Sequence, residues 1–435
     1  MFRQRPITSN AFQQWAVVAL FLLAFGVFAK TILWPAFIQP RSTLSALGND
    51  FAAYYMAAWE TAQGHSPYHR VQIADRVHYV LTPEGQSALG ITAAVIPGYV
   101  YPPTLALLLQ PLTRLRFDAA LTVWLLLNCA LAPVCWVIGA KHFAQKTLWS
   151  WQSALLAVIV LAAMPMRENL LLGQINGLVL VLALVSFIAF RDDRPFLAGA
   201  LLAVAAWLKL TPAFLLIYFV YHKRNWKFLQ GFSLLSLVAA AWIVAVIGWQ
   251  ETIRYIAQIL PAAGQHQLSL NNKAFLAIFD RLFKPNPLMP PAVHLPLLSF
   301  AGKGIVLTAL FYAAHRWRSR ASNHSQSEAG QSDYCLFAAT FVLMLLCQPL
   351  LEIHHLIFTF PALAFLLGHF PREHRLAAGG AFVLICVMLN SRGWNAFAKW
   401  SEHWSSVFLI APQAWGLLLL GALFFMKFNP GKRNQ

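Results

Sequence analysis

An acidic side chain and two tyrosines follow closely on the first apolar stretch of the chain. Asp50 is followed at helical spacing by Tyr54 and Tyr55. A carboxylate held at a membrane surface can accept a proton from a sugar hydroxyl. The same carboxylate can simply cap the start of a helix by accepting hydrogen bonds from the following amides. Because capping leaves one carboxylate oxygen free, the two roles are compatible, and we expect Asp50 to be a catalytic base.

Two cationic side chains could bind an anionic substrate. Lys209 lies between two apolar runs and is followed by Leu-Thr-Pro. A lone lysine at a helix end can extend to the membrane surface, but basic residues are disfavoured on the outer side of a membrane. A phosphate group is therefore the simplest partner for Lys209. Arg167, next to Glu168, forms either a local ion pair of little energetic value or a second cation for the same phosphate.

Two adjacent histidines follow an acidic residue in the sequence Glu352-Ile-His354-His355. Adjacent side chains point to different faces of a helix, so the pair is poorly suited to chelate one metal ion. A histidine that donates to phosphate, or that orients the base, is favoured over a metal site, and a satisfied histidine at the membrane interface is the remaining alternative. We assign His354 and His355 to the same phosphate as Lys209 and Arg167, and we expect no metal and no cofactor.

Amide side chains at other points of the sequence could bind hydroxyl groups. Gln174 and Asn176 stand in the sequence Gly-Gln-Ile-Asn-Gly over residues 173–177. They either join helices through amide hydrogen bonds or bind a sugar, and both possibilities stay open. The residues that we assign to the sugar or the acceptor are Tyr54, Tyr55, Gln174, Asn176, Asn272 and Glu352.

The composition indicates the environment in which these residues must be positioned. The 435 residues are 59% hydrophobic and 11% charged, whereas soluble domains carry about 25% charged residues. The net charge of +17 is typical of Lys and Arg that collect in cytoplasmic loops, and we expect no nucleic-acid partner. The five cysteines fall within apolar runs, so no disulfide framework is expected. We expect an all-α polytopic membrane protein.

Apolar runs recur along the chain, and a bilayer-spanning helix needs about 20 such residues. About twelve spans are predicted, at residues 14–35, 119–139, 151–166, 172–190, 195–209, 211–222, 228–248, 298–315, 334–350, 355–369, 376–390 and 407–427. Residues 1–435 are treated as one integral-membrane domain with two long extracytoplasmic loops, 36–118 and 249–297. The Tyr-Pro-Pro sequence at residues 101–103 predicts a short helix in the outer interface within the first loop.

Basic residues mark alternate connections and so give the orientation. With the N-terminus inside, the short inner turns contain Lys141, Arg191 and Lys223, among others, as the positive-inside rule requires. Both termini are therefore predicted to be cytoplasmic, in the inner (plasma) membrane. The candidate residues then fall at outer helix ends, which predicts a single extracytoplasmic site.

Four groups of motifs, taken together and in order, resemble glycosyltransferase family 87. Asp-Phe, Tyr-Tyr, Gly and Pro-Tyr over residues 50–68 are similar to the first-loop signature of that family. Tyr-Pro-Pro at 101–103 resembles its corresponding segment. The block 173–226, with Gly-Gln, Asn and Lys-Leu-Thr-Pro, is similar to its most characteristic stretch, and His-His to Pro over 354–361 resembles its late motif.

The resemblance implies a GT-C-type fold and an inverting transferase that uses polyprenyl-phosphate-linked mannose, or a related sugar, at the extracytoplasmic face. Asp50 would be the base, and the acceptor would be a lipid or glycan hydroxyl among membrane lipids. Three departures bear on acceptor and sugar specificity. They are His69 in place of a common Asp, the partly matching sequence at 271–273, and two leucines at 350–351 where Ser-Trp is usual.

A transporter is the main alternative to a transferase. A lipid-linked-sugar flippase or other membrane transporter would move its substrate without forming a glycosidic bond. No Asp or Glu lies well inside a predicted span, which disfavours an ion-coupled carrier. A transferase that releases a phosphate needs only one carboxylate, because the second phosphate pKa is about 6 and the leaving group requires no general acid. A non-catalytic scaffold would leave the outer polar residues without a role.

Overall fold

Helices dominate the computed structural model of the protein, as the apolar runs predict. The structure describes residues 8–39, 47–68, 71–73, 76–91, 95–263, 271–285, 290–321, 326–369, 375–391 and 407–427. Parts of the predicted loops 36–118 and 249–297, and His69, lie outside these residues.

The first span leads into the helix that carries Asp50. Helix α1 (Thr8–Phe28) continues through wider helical turns over Ala29–Ile38. Helix α2 (Asn49–Ala62) is rich in alanine and contains no internal proline or glycine, and all but a few of its side chains are buried. Its two faces are therefore packed against protein, which fixes the position of its first turn.

A small antiparallel sheet in the first loop departs from the all-helical expectation. Strands β1 (Val71–Ile73), β2 (Arg76–Val80) and β3 (Val95–Pro97) are ordered β1-β2-β3. Helix α3 (Pro83–Leu89), capped by the Thr82 hydroxyl, connects β2 to β3. These strands have three to five residues, too few for an alternating pattern to be told from a loop.

The short helix predicted after Tyr101 is present. Helix α4 (Pro103–Leu109) begins with proline in its first turn, where the missing amide proton costs no hydrogen bond. It packs against α2 and is followed by a 3₁₀ turn over Gln110–Arg114. Its depth in a membrane stays a prediction.

The middle of the chain is a series of apolar helices. The helices are α5 (Phe117–Ile138, extended over Gly139–Phe143), α6 (Trp151–Leu161), α7 (Met164–Leu171), α8 (Asn176–Arg191), α9 (Pro195–Leu208), a 3₁₀ turn (Thr211–Leu215), a wider turn (Ile217–His222) and α10 (Trp226–Ile247). Helices α6 and α7 meet at a bend of 44°. The predicted span 151–166 is therefore divided, and α7 turns toward α2.

Helices α9 and α10 pack through glycines at unusually close range. A Cβ atom at Gly199 would lie 2.0 Å from the Phe228 carbonyl oxygen, and one at Gly231 would lie 2.0 Å from the Phe196 carbonyl oxygen. Only glycine permits this approach of two backbones. The contact holds α9 in place and thereby fixes its carboxyl-terminal end.

The rest of the chain is also largely helical. Its elements are α11 (Trp249–Arg254), a wider turn (Tyr255–Ile259), α12 (Leu260–Ala263), α13 (Phe275–Phe283), α14 (Pro296–Ala321), α15 (Gln326–Leu346), a 3₁₀ helix (Ile353–Thr359), α16 (Phe360–Gly368), α17 (Arg375–Asn390), α18 (Val407–Ile410) and α19 (Pro412–Lys427). The 3₁₀ helix over Ile353–Thr359, which contains the histidine pair, packs against α7 and α8.

Membrane-spanning candidates are fewer than the apolar runs. Among the described residues, four stretches are long and apolar enough to cross a bilayer, namely Gln13–Ile38, Phe117–Phe143, Trp226–Ile247 and Pro296–Arg316. The bent pair α6 and α7 makes a fifth if it is one span. The seven other predicted runs form shorter apolar helices. The structure thus supports a helical membrane protein, and the number twelve stays a prediction.

Candidate active site

Asp50 lies in the first turn of α2, which is docked on the end of α7. The Gly48 amide donates to the Leu171 carbonyl at 2.7 Å, and the Asp50 amide donates to the Leu172 carbonyl at 3.0 Å. The N-cap of α2 is Gly48, so Asp50 is not the capping residue. Its carboxylate instead accepts a hydrogen bond from the Gln174 amide, with 2.7 Å between Nε2 and Oδ2.

Gln174 is held in one orientation by its neighbours. Its Oε1 accepts hydrogen bonds from the Tyr54 hydroxyl at 2.9 Å and the Tyr101 hydroxyl at 3.0 Å. Two donors on the oxygen require the amide nitrogen to face Asp50. Gln174 and Tyr54 are buried, so this arrangement is insulated from water. Gln174 therefore fixes the orientation of the Asp50 carboxylate. The Tyr54 hydroxyl in turn fixes the orientation of Gln174.

Gly173 brings Gln174 against α2. It has a φ of +69°, and a Cβ atom there would lie 2.7 Å from Cβ of Phe51. Its carbonyl accepts a hydrogen bond of 2.7 Å from the Trp124 indole. A left-handed backbone and a contact of this kind both require glycine. The turn before α8 is thus shaped so that the next residue can reach Asp50.

The surroundings of Asp50 set its proton affinity. Burial raises the pKa of the Asp50 carboxyl from 3.8 to about 6, against the lowering effects of the Gln174 hydrogen bond and of Lys209, and Glu168 adds a smaller upward effect. The carboxylate is therefore ionised above about pH 6 and binds a proton below it. A general base works best when its pKa lies near the working pH, and this environment meets that condition.

The amine of Lys209 lies near this carboxylate. Lys209 follows the last residue of α9 and is buried. Its Nζ donates to Asn176 Oδ1 at 2.6 Å and lies 3.0 Å from His355 Nε2. It also lies 5.3 Å from the centroid of the Tyr101 ring, within the range of a cation–π contact. The end of α9, the start of α8 and the 3₁₀ helix after residue 352 meet at this amine.

The histidine pair is fixed by a capping box. Glu352 is the N-cap of the 3₁₀ helix, and its side chain accepts from the His355 amide while the His355 ring accepts from the Glu352 amide. The latter bond joins the Glu352 nitrogen to Nδ1 at 3.1 Å. Glu352 Oε2 also lies 3.5 Å from His354 Nδ1. The Asn176 amide donates to the His354 carbonyl at 3.3 Å, which ties this helix to α8.

The acid and the cation belong to one contiguous cluster. Tyr101 bonds to Gln174, which bonds to Asp50, and the same Tyr101 ring faces Lys209. Asp50 and Lys209 also interact electrostatically. Residues from separate parts of the sequence are thus brought together. We refer to Asp50, Tyr101, Gln174, Lys209 and His355 as the acid–cation cluster.

Three of the predicted site residues have their described hydrogen bonds and ion pairs elsewhere. The Tyr55 hydroxyl donates to the Leu115 carbonyl at 2.7 Å. Asn272 is buried, donating to the Pro349 carbonyl and accepting from the Leu351 amide, so it braces the turn that precedes Glu352. Arg167 Nη1 lies 3.5 Å from Glu168 Oε1, and the two side chains form a partly exposed ion pair. The assignment of these three to substrate stays a prediction.

Tyr101 belongs to the cluster but was not among the residues predicted for the site. The signal available was the Tyr-Pro-Pro sequence, because the two prolines start α4 directly after the tyrosine and fix its backbone. In the part of the chain that the structure describes, no group of three or more His, Cys, Asp or Glu side chains is arranged to hold a metal ion.

Mannosyltransferases of mycobacteria resemble part of this chain. A polyprenol-phosphate-mannose-dependent alpha-(1-2)-phosphatidylinositol pentamannoside mannosyltransferase of Mycobacterium tuberculosis is 27% identical over 173 residues, which cover 38% of this chain and 38% of that protein. A polyprenol-phosphate-mannose-dependent alpha-(1-2)-phosphatidylinositol mannoside mannosyltransferase of Mycolicibacterium smegmatis is 28% identical over 173 residues, covering 36% and 39%. The similarity therefore spans well under half of each relative. No solved structure matches the chain.

The family model of glycosyltransferase family 87 matches residues 99–349. This stretch contains Tyr101, Gln174 and Lys209, whereas Asp50 and His355 lie on either side of it. It is shorter than the predicted resemblance, which extended over residues 50–361. It nevertheless covers more than half of the sequence, and the chain belongs to glycosyltransferase family 87.

Proposed function

We propose that the protein is an inverting glycosyltransferase that moves a sugar, with mannose the first candidate, from a polyprenyl-phosphate donor to a lipid or glycan hydroxyl. Family membership and the names of the mycobacterial relatives support this class of reaction. The observation that carries the proposal is the acid–cation cluster. A carboxylate with a pKa of about 6 and a buried amine are both linked to Tyr101, the first through Gln174 and the second through the face of the ring, so a base and a phosphate-binding group belong to one site.

In this mechanism Asp50 is the general base. Oδ2 is occupied by Gln174, and Oδ1 takes the proton of the acceptor hydroxyl as that oxygen attacks the anomeric carbon. The bond between the anomeric carbon and the phosphate oxygen breaks, and polyprenyl phosphate leaves with the bonding electrons. The leaving group needs no proton because its second pKa is about 6. Attack opposite to the leaving group inverts the anomeric configuration.

Lys209 and His355 stabilise the charge that develops on the departing phosphate. Their nitrogens lie 3.0 Å apart, close enough for both to bond to the oxygens of one phosphate. Donors fixed in advance in a buried site stabilise such charge strongly. Mobile side chains would lose part of that effect by ordering, so the capping box that holds His355 serves the chemistry.

The lipid tail of the donor lies along the apolar helices around the cluster. Each CH₂ group buried from water contributes about 0.8 kcal/mol, so a prenyl chain of several units holds the donor in the membrane beside the cluster. We place the cluster at the extracytoplasmic face with both termini cytoplasmic, from the distribution of basic residues. A reporter on the C-terminus that proves accessible to an impermeant reagent in intact cells would refute this orientation.

Transfer itself is tested with purified protein in lipid vesicles, labelled polyprenyl-phosphate-mannose and an extracted lipid or glycan pool. The expected result is loss of label from the donor and its appearance in a new glycoside. Movement of intact donor across the vesicle membrane without a new glycosidic bond would favour the flippase and contradict the proposal.

A further inference from the structure

His355 is fixed in one tautomer by the backbone. Its Nδ1 accepts the hydrogen bond of the Glu352 amide at 3.1 Å. An amide nitrogen can only donate, so Nδ1 carries no proton, and a neutral imidazole then carries its proton on Nε2. An imidazolium ion would bring a second N–H group against the same amide. The ring is therefore a neutral donor on the side that faces Lys209.

Two donors would face each other if Lys209 were charged. His355 Nε2 and Lys209 Nζ are 3.0 Å apart, and an ammonium group has three donors and no acceptor. The contact is a hydrogen bond only when Nζ is a neutral amine, whose lone pair accepts from Nε2–H. A neutral amine still donates to Asn176 Oδ1 at 2.6 Å, and the bond from Asn176 Nδ2 to the His354 carbonyl keeps that oxygen in place.

We propose that Lys209 is neutral in the donor-free protein and takes up one proton when the donor phosphate binds. An anionic phosphate oxygen can accept from His355 Nε2–H and from the Lys209 ammonium at once, which removes the conflict between the two donors. One proton moves from solution to Nζ, and no covalent bond changes. This inference rests on the proposed function, because it takes the phosphate of a lipid-linked sugar as the ligand.

The surroundings of Lys209 include other titratable groups. Those that act on it electrostatically or through its contacts are Asp50 on α2, Tyr101 before α4, and Glu352, His354 and His355 on the 3₁₀ helix. Burial opposes a charge on the amine, and the carboxylates of Asp50 and Glu352 favour it. The N–H group of His355 Nε2 also disfavours a charge on the Lys209 amine, as burial does. A phosphate anion that binds beside the amine favours the charged form.

Donor affinity should consequently depend on pH. Because the bound state holds one more proton than the free state, the dissociation constant rises about tenfold per pH unit in the range where the free amine is neutral. The donor is a phosphodiester and keeps a single negative charge throughout that range, so the change belongs to the protein.

The direct test is calorimetry of polyprenyl-phosphate-mannose binding at pH 8, without acceptor, in two buffers of different ionisation enthalpy. The difference in observed heat gives the number of protons taken up. We expect about one proton for the wild type and also for Asp50→Asn, which excludes Asp50 as the proton acceptor. Lys209→Arg, whose guanidinium is always charged, should bind donor without proton uptake.

The outcomes separate this inference from the proposed function. Donor binding by the wild type with no proton uptake would overturn the inference and leave the transferase intact. Proton uptake that persists in Lys209→Arg would also overturn it, because the proton would then go elsewhere. If Lys209→Arg does not fold, a wild-type dissociation constant that stays constant from pH 8 to 9 would overturn the inference as well. A protein that transfers no sugar and binds no donor would refute the proposed function itself.

Discussion

Asp50 and Gln174 show how the proposed chemistry depends on single side chains. The carboxylate is held by one neutral donor and lies in partly apolar surroundings, so its charge is destabilised without being lost at neutral pH. A carboxylate bonded to several amides would have a lower pKa and would be a weaker base. The single hydrogen bond from the Gln174 amide fixes the orientation of the carboxylate and offsets only part of the rise in its pKa.

The rate of transfer should depend on the ionisation of Asp50. Only the carboxylate form can accept the acceptor proton, so kcat/KM for the acceptor, at saturating donor, should fall about tenfold per pH unit below the pKa of about 6 and level off above it. The initial rate with saturating donor and subsaturating acceptor, measured from about pH 4.5 to 7.5, checks this. A rate that is flat across pH 6 would contradict the assignment of Asp50 as the base.

The same shift predicts the effect of Asp50→Asn on stability. Because burial raises the folded-state pKa above the unfolded value of 3.8, the ionised carboxylate costs folding free energy above pH 6, and this cost disappears as pH falls toward 4. Asp50→Asn should therefore unfold at a higher temperature than the wild type at about pH 7.5. The difference should vanish near pH 4. A variant less stable than the wild type at the higher pH would show that the charge is not destabilising.

Removal of the Gln174 amide should slow transfer and move its pH dependence. A hydrogen bond to a charged group is worth about 1.5–3 kcal/mol, so Gln174→Ala should lower kcat/KM by roughly 10- to 100-fold. The fall in rate at low pH should also begin above pH 6, because the hydrogen bond that lowers the pKa of Asp50 is lost. Gln86→Ala is the matched control, since its amide donates to the Leu81 carbonyl in the first loop. Equal losses in both variants would indicate a merely structural effect.

At the scale of elements, the site depends on turns between apolar helices. Helix α2 is docked on α7 by backbone bonds to Leu171 and Leu172, and α8 begins at the turn that contains Gly173. The position of Lys209 follows from the close packing of α9 on α10. The site is thus assembled from helix ends, and the apolar bodies of the helices supply only their relative positions.

Gly173→Ala should separate Gln174 from Asp50. Alanine at a φ of +69° is strained, and its Cβ would lie 2.7 Å from Cβ of Phe51, with a cost on the order of 1–3 kcal/mol for the backbone alone. We expect a lower unfolding temperature and a loss of transfer larger than the loss of folded protein. Gly26→Ala, in a helix with open space around it, is the control. Full activity in Gly173→Ala would show that the turn does not position the base.

The sequence was informative about these elements to different degrees. The apolar runs predicted the helices well, because periodicity and length persist over many residues, and Pro103 marked the start of α4. The bend between α6 and α7 was missed, since hydropathy continues across it. The strands β1 to β3 were missed because each is too short for a reliable alternating pattern. Tertiary contacts such as Asn272 with Leu351 leave no local signal at all.

At the scale of the whole molecule, residues from distant parts of the chain meet in one place. Asp50, Gln174, Lys209 and His355 were predicted as candidates from their types and their expected membrane side, and the structure brings them into one cluster. Sequence alone could not show that Gln174 bonds to Asp50 and that Asn176 bonds to Lys209, because such contacts depend on how distant parts of the chain pack.

The most direct test of the central claim is the effect of Asp50→Asn on turnover and on donor binding, measured separately. Asparagine keeps the size of the side chain and an oxygen for Gln174 but cannot accept a proton. Asp192→Asn, on an exposed turn after α8, is the control. We expect Asp50→Asn to abolish transfer while it binds polyprenyl-phosphate-mannose within a fewfold of the wild type. Turnover close to that of the wild type would contradict the account.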